Sequence, residues 1–182
     1  MEIPFLQAKY FTTPTAPRKV DTIVIHAADV VESPTAAEWL MKYCAANDRQ
    51  SSWNYAVDSD HITQSVKEEH VAWHAPGANA RGIGIELATS YAPSAAQWAA
   101  PYSQKMLTLA AWLAAGICAR WKIEPFFVDF NGLLEGRRGI TTHAQATLAY
   151  KRGDHMDPGP NFPMNDFLAK VKSRLDTGNF EA

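Results

Sequence analysis

Asp21-Thr-Ile-Val-Ile-His26 and Gly82-Ile-Gly-Ile-Glu-Leu-Ala88 decide the architecture. In the first run β-branched residues cluster with no polar alternation, the pattern of a short buried strand. The second has the same apolar character, and its glycines permit close backbone approach. Gly139–Thr142 reads as a third short strand, and Asn54–Asp58 with His61–Val66, split by a Ser-Asp turn, as a β-hairpin. Helical patterns lie between. Ser33-Pro34 reads as an N-cap followed by proline at the first helical position, with Ala37, Leu40, Met41 and Cys44 forming one apolar face to about Asn47. Ser94-Ala-Ala-Gln97 is a capping-box pattern. It opens a helical stretch, interrupted or restarted at Pro101, that runs to about Trp121 with Met106, Leu109, Ala110, Leu113, Ile117 and Cys118 as its stripe. Asn165–Leu175 is a closing amphipathic helix with Phe167, Leu168, Val171 and Leu175 on one side. Strands alternating with helices, plus one hairpin, predict an α/β fold: a single domain with a central mixed β-sheet flanked by helices on its faces.

The bulk numbers fit that reading. A chain of 182 residues holds one domain with a sizeable core. Its 47% hydrophobic and 20% charged residues are ordinary for a globular protein. A formal net charge of −2 gives no basic surplus of the kind that attracts nucleic acid or an anionic membrane. No apolar run reaches the roughly 18 residues of a membrane span. Residues 1–20, with Pro4, Pro14 and Pro17, read as an extended arm lying on the surface, residues 21–175 as the domain and 176–182 as a tail. The opening residues lack a basic segment followed by a long apolar one, which predicts a chain made in the cytoplasm without an export signal. Cys44 and Cys118 both fall in helical patterns and read as buried thiols, with a disulfide left open.

Two histidines and one carboxylate stand out chemically. His26 ends the first strand and His143 follows Ile140-Thr-Thr142, so both imidazoles belong at the rim of the sheet. Asp157 precedes Pro158-Gly-Pro160, and prolines restrict the direction in which the carboxylate points. A lone histidine at a strand end is ordinarily a hydrogen-bonded rim residue, and Asp-Pro-Gly-Pro is ordinarily a turn. As a trio, they offer the three protein ligands of a hydrolytic zinc site whose fourth position is open. Glu86 alternates with Ile85 and Leu87, so it faces either solvent or a polar site.

Six blocks occur in order: Thr22-Ile-Val-Ile-His26, Ser51-Ser-Trp-Asn-Tyr-Ala-Val-Asp58, Ala72-Trp-His-Ala75, Gly82-Ile-Gly-Ile-Glu-Leu87, Gly139-Ile-Thr-Thr-His143 and Asp157-Pro-Gly-Pro-Asn-Phe-Pro163. In this order the chain resembles the zinc-dependent N-acetylmuramoyl-L-alanine amidases of the amidase-2 family, over roughly residues 20 to 170. The resemblance implies His26, His143 and Asp157 as ligands of Zn²⁺ and Glu86 as the catalytic glutamate. Two residues before the third ligand many members carry a lysine that stabilises the oxyanion. This chain departs from that pattern with His155, which is expected to donate a hydrogen bond in the same role as a neutral or weakly protonated group. Some phage members have a catalytic tyrosine at the position of Trp53. An indole cannot exchange a proton, so Trp53 is either a groove wall or core packing. The resemblance also assigns Trp73 and His74 to the substrate cleft and leaves His61 and His70 as surface residues, while Asn79 and Arg81, on the Gly/Ala-rich loop before Glu86, are further candidate contacts to muropeptide carboxylates or carbonyls.

The implied reaction is hydrolysis of the amide between N-acetylmuramic acid and the L-alanine of the peptidoglycan stem. Glu86 would carry the proton to the leaving amine. The Ala- and Trp-rich blocks, and the run Thr142-His-Ala-Gln-Ala-Thr147, look most like phage endolysins. Such a chain acts as a monomer on the cell wall after release. Three other readings stand beside it. A peptidoglycan-binding protein without catalysis would have lost a ligand. A cytoplasmic enzyme recycling anhydro-muropeptides would share the chemistry. A glycosidase needs a second carboxylate beside Glu86, and no partner is evident.

Overall fold

A strand rich in valine and isoleucine needs apolar cover on both faces, and two six-residue strands supply the frame for it. In the computed structural model, residues 2–178 are described. In chain order the elements are β1 (Phe11–Thr12), β2 (Thr22–Ala27), α1 (Ala36–Ala46), β3 (Tyr55–Val57), β4 (Ile62–Gln64), β5 (Val71–Ala72), a 3₁₀ turn (Asn79–Arg81), β6 (Gly82–Leu87), α2 (Ala95–Ala99), α3 (Pro101–Trp121), α4 (Phe130–Leu134), β7 (Gly139–Thr142), α5 (His143–Tyr150) and α6 (Met164–Thr177). The main sheet has the order β4-β3-β6-β2-β7. β3, β6, β2 and β7 run parallel, and β4 closes one edge antiparallel through the hairpin. The mixed sheet with helices on its faces is therefore as expected.

Strand alternation divides the residues between two faces. Ile23, Ile25, Ile83, Ile85, Leu87 and Ile140 point to one face, where Met106, Leu107, Ala110, Leu113, Ala114 and Ile117 of α3 cover them and Phe167 and Val171 of α6 join the same cluster. The opposite face carries Thr22, Val24, His26, Gly82, Gly84 and Glu86 in register, Val24 beside Gly84 and His26 beside Glu86. α1 covers one side of it over Ala56, together with Trp53. The other side is covered by Ala75 and Ala78, Leu133 of α4, and Ala146 and Ala149 of α5, packed around Val24. The polar pair His26 and Glu86 lies at the C-terminal end of these strands, where ligand sites of α/β sheets form.

Several local expectations shift by tertiary contact. α1 begins at Ala36, two residues after Pro34, and Thr35 in the cap position makes no side-chain bond. Ser33 Oγ accepts from Thr35 N–H in a local turn, while the Ala37 N–H is capped at 2.9 Å by Asp58 Oδ2 from beyond β3. Ser94 and Gln97 form both halves of the capping box, and the helix restarts with Pro101 at its first turn. The N-terminal arm is extended but is sewn into the fold. Leu6 N–H and Ala8 N–H donate to Gln64 and Ser65 carbonyls, Gln64 N–H donates back to Pro4, and Ala8 and Val20 are buried. β1 pairs antiparallel with β5 in a separate two-stranded sheet. Helix α6 continues through Asp176 and Thr177, and the rest of the expected tail, residues 179–182, lies outside the described residues. Cys44 and Cys118 are free and buried in clusters on opposite faces of the sheet. No helix among the described residues is long and apolar enough to cross a membrane.

Candidate active site

Three side chains far apart in sequence meet at the rim of the sheet. His26 is the penultimate residue of β2. His143 opens α5 directly after β7, whose Thr142 lies level with Ile25. Asp157 arrives on the loop between α5 and α6 and is pinned at both ends: its Oδ2 accepts from Ala27 N–H at 3.1 Å, and its carbonyl accepts from Ala144 N–H at 3.0 Å. His26 Nδ1 and His143 Nδ1 are 3.1 Å apart. His143 Nδ1 lies 3.1 Å from Asp157 Oδ1, and His26 Nδ1 lies 3.4 Å from Asp157 Oδ2.

This trio fits a metal. Ligands about 2.0–2.1 Å from a tetrahedral zinc lie roughly 3.3 Å from one another, close to the 3.1 Å between the two Nδ1 atoms, and each ring has one Asp157 oxygen at a similar distance. Asp157 Oδ1 is buried without a hydrogen bond, as expected of a lone pair kept for an ion. Burial, then the neighbouring His143, lowers the pKa of His26 to about 4, so its ring is neutral and able to ligate. Burial would raise the Asp157 carboxyl, but His143 and His26 outweigh it and hold the group ionised, well below the ordinary carboxylate range.

Glu86 sits beside the trio, with Oε1 3.9 Å from His26 Nδ1. Of the two orientations its strand allowed, it takes the polar one, and it is only 8% exposed. Its Oε2 is buried without a partner. Burial first, and then the charge of Asp157, raises its pKa well above the usual value, which suits a group that must take up a proton. His155 lies at the mouth: its side chain is 58% exposed, its ring stacks on His143 with centroids 4.6 Å apart, and Nδ1 is 3.5 Å from Asp157 Oδ1. Tyr91, unremarked in the sequence, anchors this loop, since its hydroxyl accepts from Met156 N–H and its own N–H donates to Asp29 Oδ1 at 3.2 Å. Nothing in a tyrosine within Ser-Tyr-Ala marks it for that contact; only the approach of the two loops does.

Of the remaining candidates, only His74 touches the trio. Trp53 is buried, with its ring parallel to that of Tyr43 at 6.4 Å, which is the packing alternative of its two readings. Trp73 stacks on Tyr10, and its indole N–H donates to Thr12 Oγ1 at 2.9 Å, holding the arm. Asn79 Oδ1 accepts from the N–H groups of His74 and Ala75 and so shapes their turn. Arg81 pairs with Asp21 at the N-terminal end of the strands. Five residues of strand, about 16 Å, separate it from Glu86, so it belongs to the opposite end of the sheet from the trio. His61 is exposed, and His70 is partly buried beside Phe11. His74, expected to line a cleft, is 8% exposed and lies behind His26, with Nδ1 3.0 Å from His26 Nε2.

Comparison with known proteins bears on family and fold. Residues 16–160 match the family of N-acetylmuramoyl-L-alanine amidases known as amidase-2. Among solved structures, the chain is similar to the Staphylococcus aureus hydrolase AmiA in complex with its ligand (17% identity, TM-score 0.74, covering 98% of this chain and 86% of that one). It is also similar to the N-acetylmuramoyl-L-alanine amidase LysC from Clostridium intestinale (18% identity, TM-score 0.60, covering 94% and 98%). An AmpD derivative is a third (18% identity, TM-score 0.64, covering 93% and 94%). At such identities these likenesses speak to the fold alone, and no curated protein matches the chain. Because the family match takes in both strands of the frame and reaches past Asp157, the chain belongs to the amidase-2 family of N-acetylmuramoyl-L-alanine amidases.

Proposed function

We propose that the enzyme cuts the amide between N-acetylmuramic acid and L-alanine in polymeric peptidoglycan with a zinc ion held by His26, His143 and Asp157. The observation that carries this reading is the meeting of three ligand atoms of the right chemistry, all within 4.8 Å, beside a buried carboxyl with a raised pKa. Zn²⁺ in that position supplies Lewis-acid polarisation of the amide carbonyl and acidifies water. Glu86 takes the proton from the attacking water and hands it to the L-alanine nitrogen as the C–N bond breaks. Its unpartnered Oε2 is free for that work. His155, exposed at the mouth, donates a hydrogen bond to the developing oxyanion. One such donor is worth about 10²–10³ in rate.

Lytic use on the wall, in the manner of a phage endolysin, is supported by the resemblance of the Trp- and Ala-rich blocks and of Thr142–Thr147. The deciding experiment incubates purified sacculi with the protein, with and without a chelator, and follows new free amino groups against new reducing ends. Release of peptides beginning with L-alanine, lost on chelation and restored by zinc, is expected. Full activity without metal overturns the zinc reading, and new reducing ends overturn the amidase reading. Higher kcat/KM on a soluble anhydro-muropeptide than on sacculi would replace lysis by recycling.

A further inference from the structure

A metal ligand is useful only if the correct ring nitrogen is bare, and in histidine that choice is made by whatever holds the other nitrogen. His26 offers Nδ1 to the trio, so its proton must sit on Nε2. The atom facing Nε2 is His74 Nδ1, at 3.0 Å, with the two rings nearly perpendicular. We infer that His74 is the positioning residue of this centre: it accepts the Nε2–H of His26, fixes that tautomer, and so presents a bare Nδ1 to the metal. The inference rests on the zinc reading above.

The surroundings of His74 are built for this. Its ring lies against β6 where that strand has no side chains. A Cβ on Gly84 would stand 2.7 Å from His74 Cγ, and one on Gly82 would stand 3.4 Å from His74 Cε1. The alternation Gly82, Gly84, Glu86 thus clears a slot for an imidazole and then places the carboxyl at its end. Asn79 fixes the backbone on the other side by accepting from His74 N–H at 3.0 Å. With Nδ1 used as acceptor, the His74 proton sits on Nε2. That nitrogen is buried without a hydrogen-bond partner. The Gly82 backbone beside the ring is held in turn by Arg18, whose Nη2 donates to the Gly82 carbonyl at 2.7 Å.

The test is a zinc competition titration on wild type, His74→Phe and His74→Asn, each checked for folding by circular dichroism. His74→Phe keeps the ring and removes the acceptor, so zinc binding should weaken about 10–100-fold. Asparagine can place Oδ1 near the position of Nδ1, and His74→Asn should keep wild-type affinity. Equal affinities for Phe, Asn and wild type overturn the inference, and so does equal weakening of both variants, which would mark a packing role. Wild type that binds no zinc sinks the underlying metal reading instead. Where His74→Phe does not fold, ¹⁵N spectra of the zinc-loaded wild type decide the matter: His26 protonated at Nε2 is expected, and protonation at Nδ1 overturns the inference.

Discussion

Glu86, the proton carrier of the proposed reaction, is a buried group whose enclosure bears on stability as well. Its carboxyl is enclosed, its Oε2 unpartnered, and its pKa raised by burial and then by Asp157. Glu86→Gln should therefore lower kcat by about 10²–10⁴ while leaving zinc stoichiometry unchanged, as measured by metal analysis alongside turnover. The same residue makes a prediction about the metal-free protein. A carboxyl whose folded pKa lies above its unfolded value holds its proton more tightly when folded, so folding stability falls as pH rises from about 4.3 towards the folded pKa. Urea unfolding of apo Glu86→Gln should lack that loss and show a more stable protein than wild type at pH 7. Equal pH dependence of the two proteins would mean that Glu86 is solvated.

Between elements, one polar tie lies away from the site. Glu68, on the segment between β4 and β5, accepts from Arg120 Nη2 at 2.5 Å and from Trp121 Nε1 at 2.5 Å at the end of α3, and from the Tyr55 hydroxyl at 2.8 Å on β3. Burial would raise its pKa, but Arg120, Trp121 and Tyr55 outweigh that and lower it. A depressed folded pKa contributes stability that is present above the unfolded value of about 4.3 and is lost as pH falls through the folded one. Glu68→Ala leaves a buried tyrosine hydroxyl without its acceptor and should cost about 1–3 kcal/mol. Its unfolding curve should also lose part of the wild-type acid sensitivity below about pH 4.3.

At the scale of the molecule, the centre is a clasp among separate parts of the chain. His26, His143 and Asp157 belong to β2, α5 and the loop before α6, so an ion that binds them only when they are assembled stabilises the fold. Zinc at about 100 times its dissociation constant adds about 2.7 kcal/mol. For a chain of this size that raises Tm by roughly 5–10 °C. Thermal scans with zinc and with chelator should show this shift in wild type and none in His143→Ala. Arg18 is a second clasp, donating from the arm to the carbonyls of Glu68, His70, Asn79 and Gly82. Arg18→Ala should loosen the His74 segment, read as faster amide exchange over residues 68–82, well before the sheet opens.

The strands and the two main helices are set by local chemistry, because an unbroken run such as Ile23-Val-Ile25 has one economical environment and Ser94 with Gln97 has one geometry. The candidate trio was also legible, since His26 and His143 each end or follow such a run and Asp157 precedes Pro158-Gly-Pro160. α5 is absent from the sequence expectations although Thr142, three residues before Gln145, is half a capping box; its side chain does accept the Gln145 N–H. α4 is likewise capped by Asp129. Other features have no local signature. The start of α1 is capped by Asp58 from across the hairpin, and the arm is bound through carbonyls that any residue presents. The side to which Glu86 turns depends on what covers the sheet. His74 reaches His26 only because two distant glycines, in register with Val24 and Thr22, leave the space open. The sequence by itself determined which residues could ligate and catalyse, because ligand chemistry belongs to the side chain. Tertiary structure alone decided which nitrogen is bare and which carboxyl is buried, because both depend on neighbours that are remote in the chain.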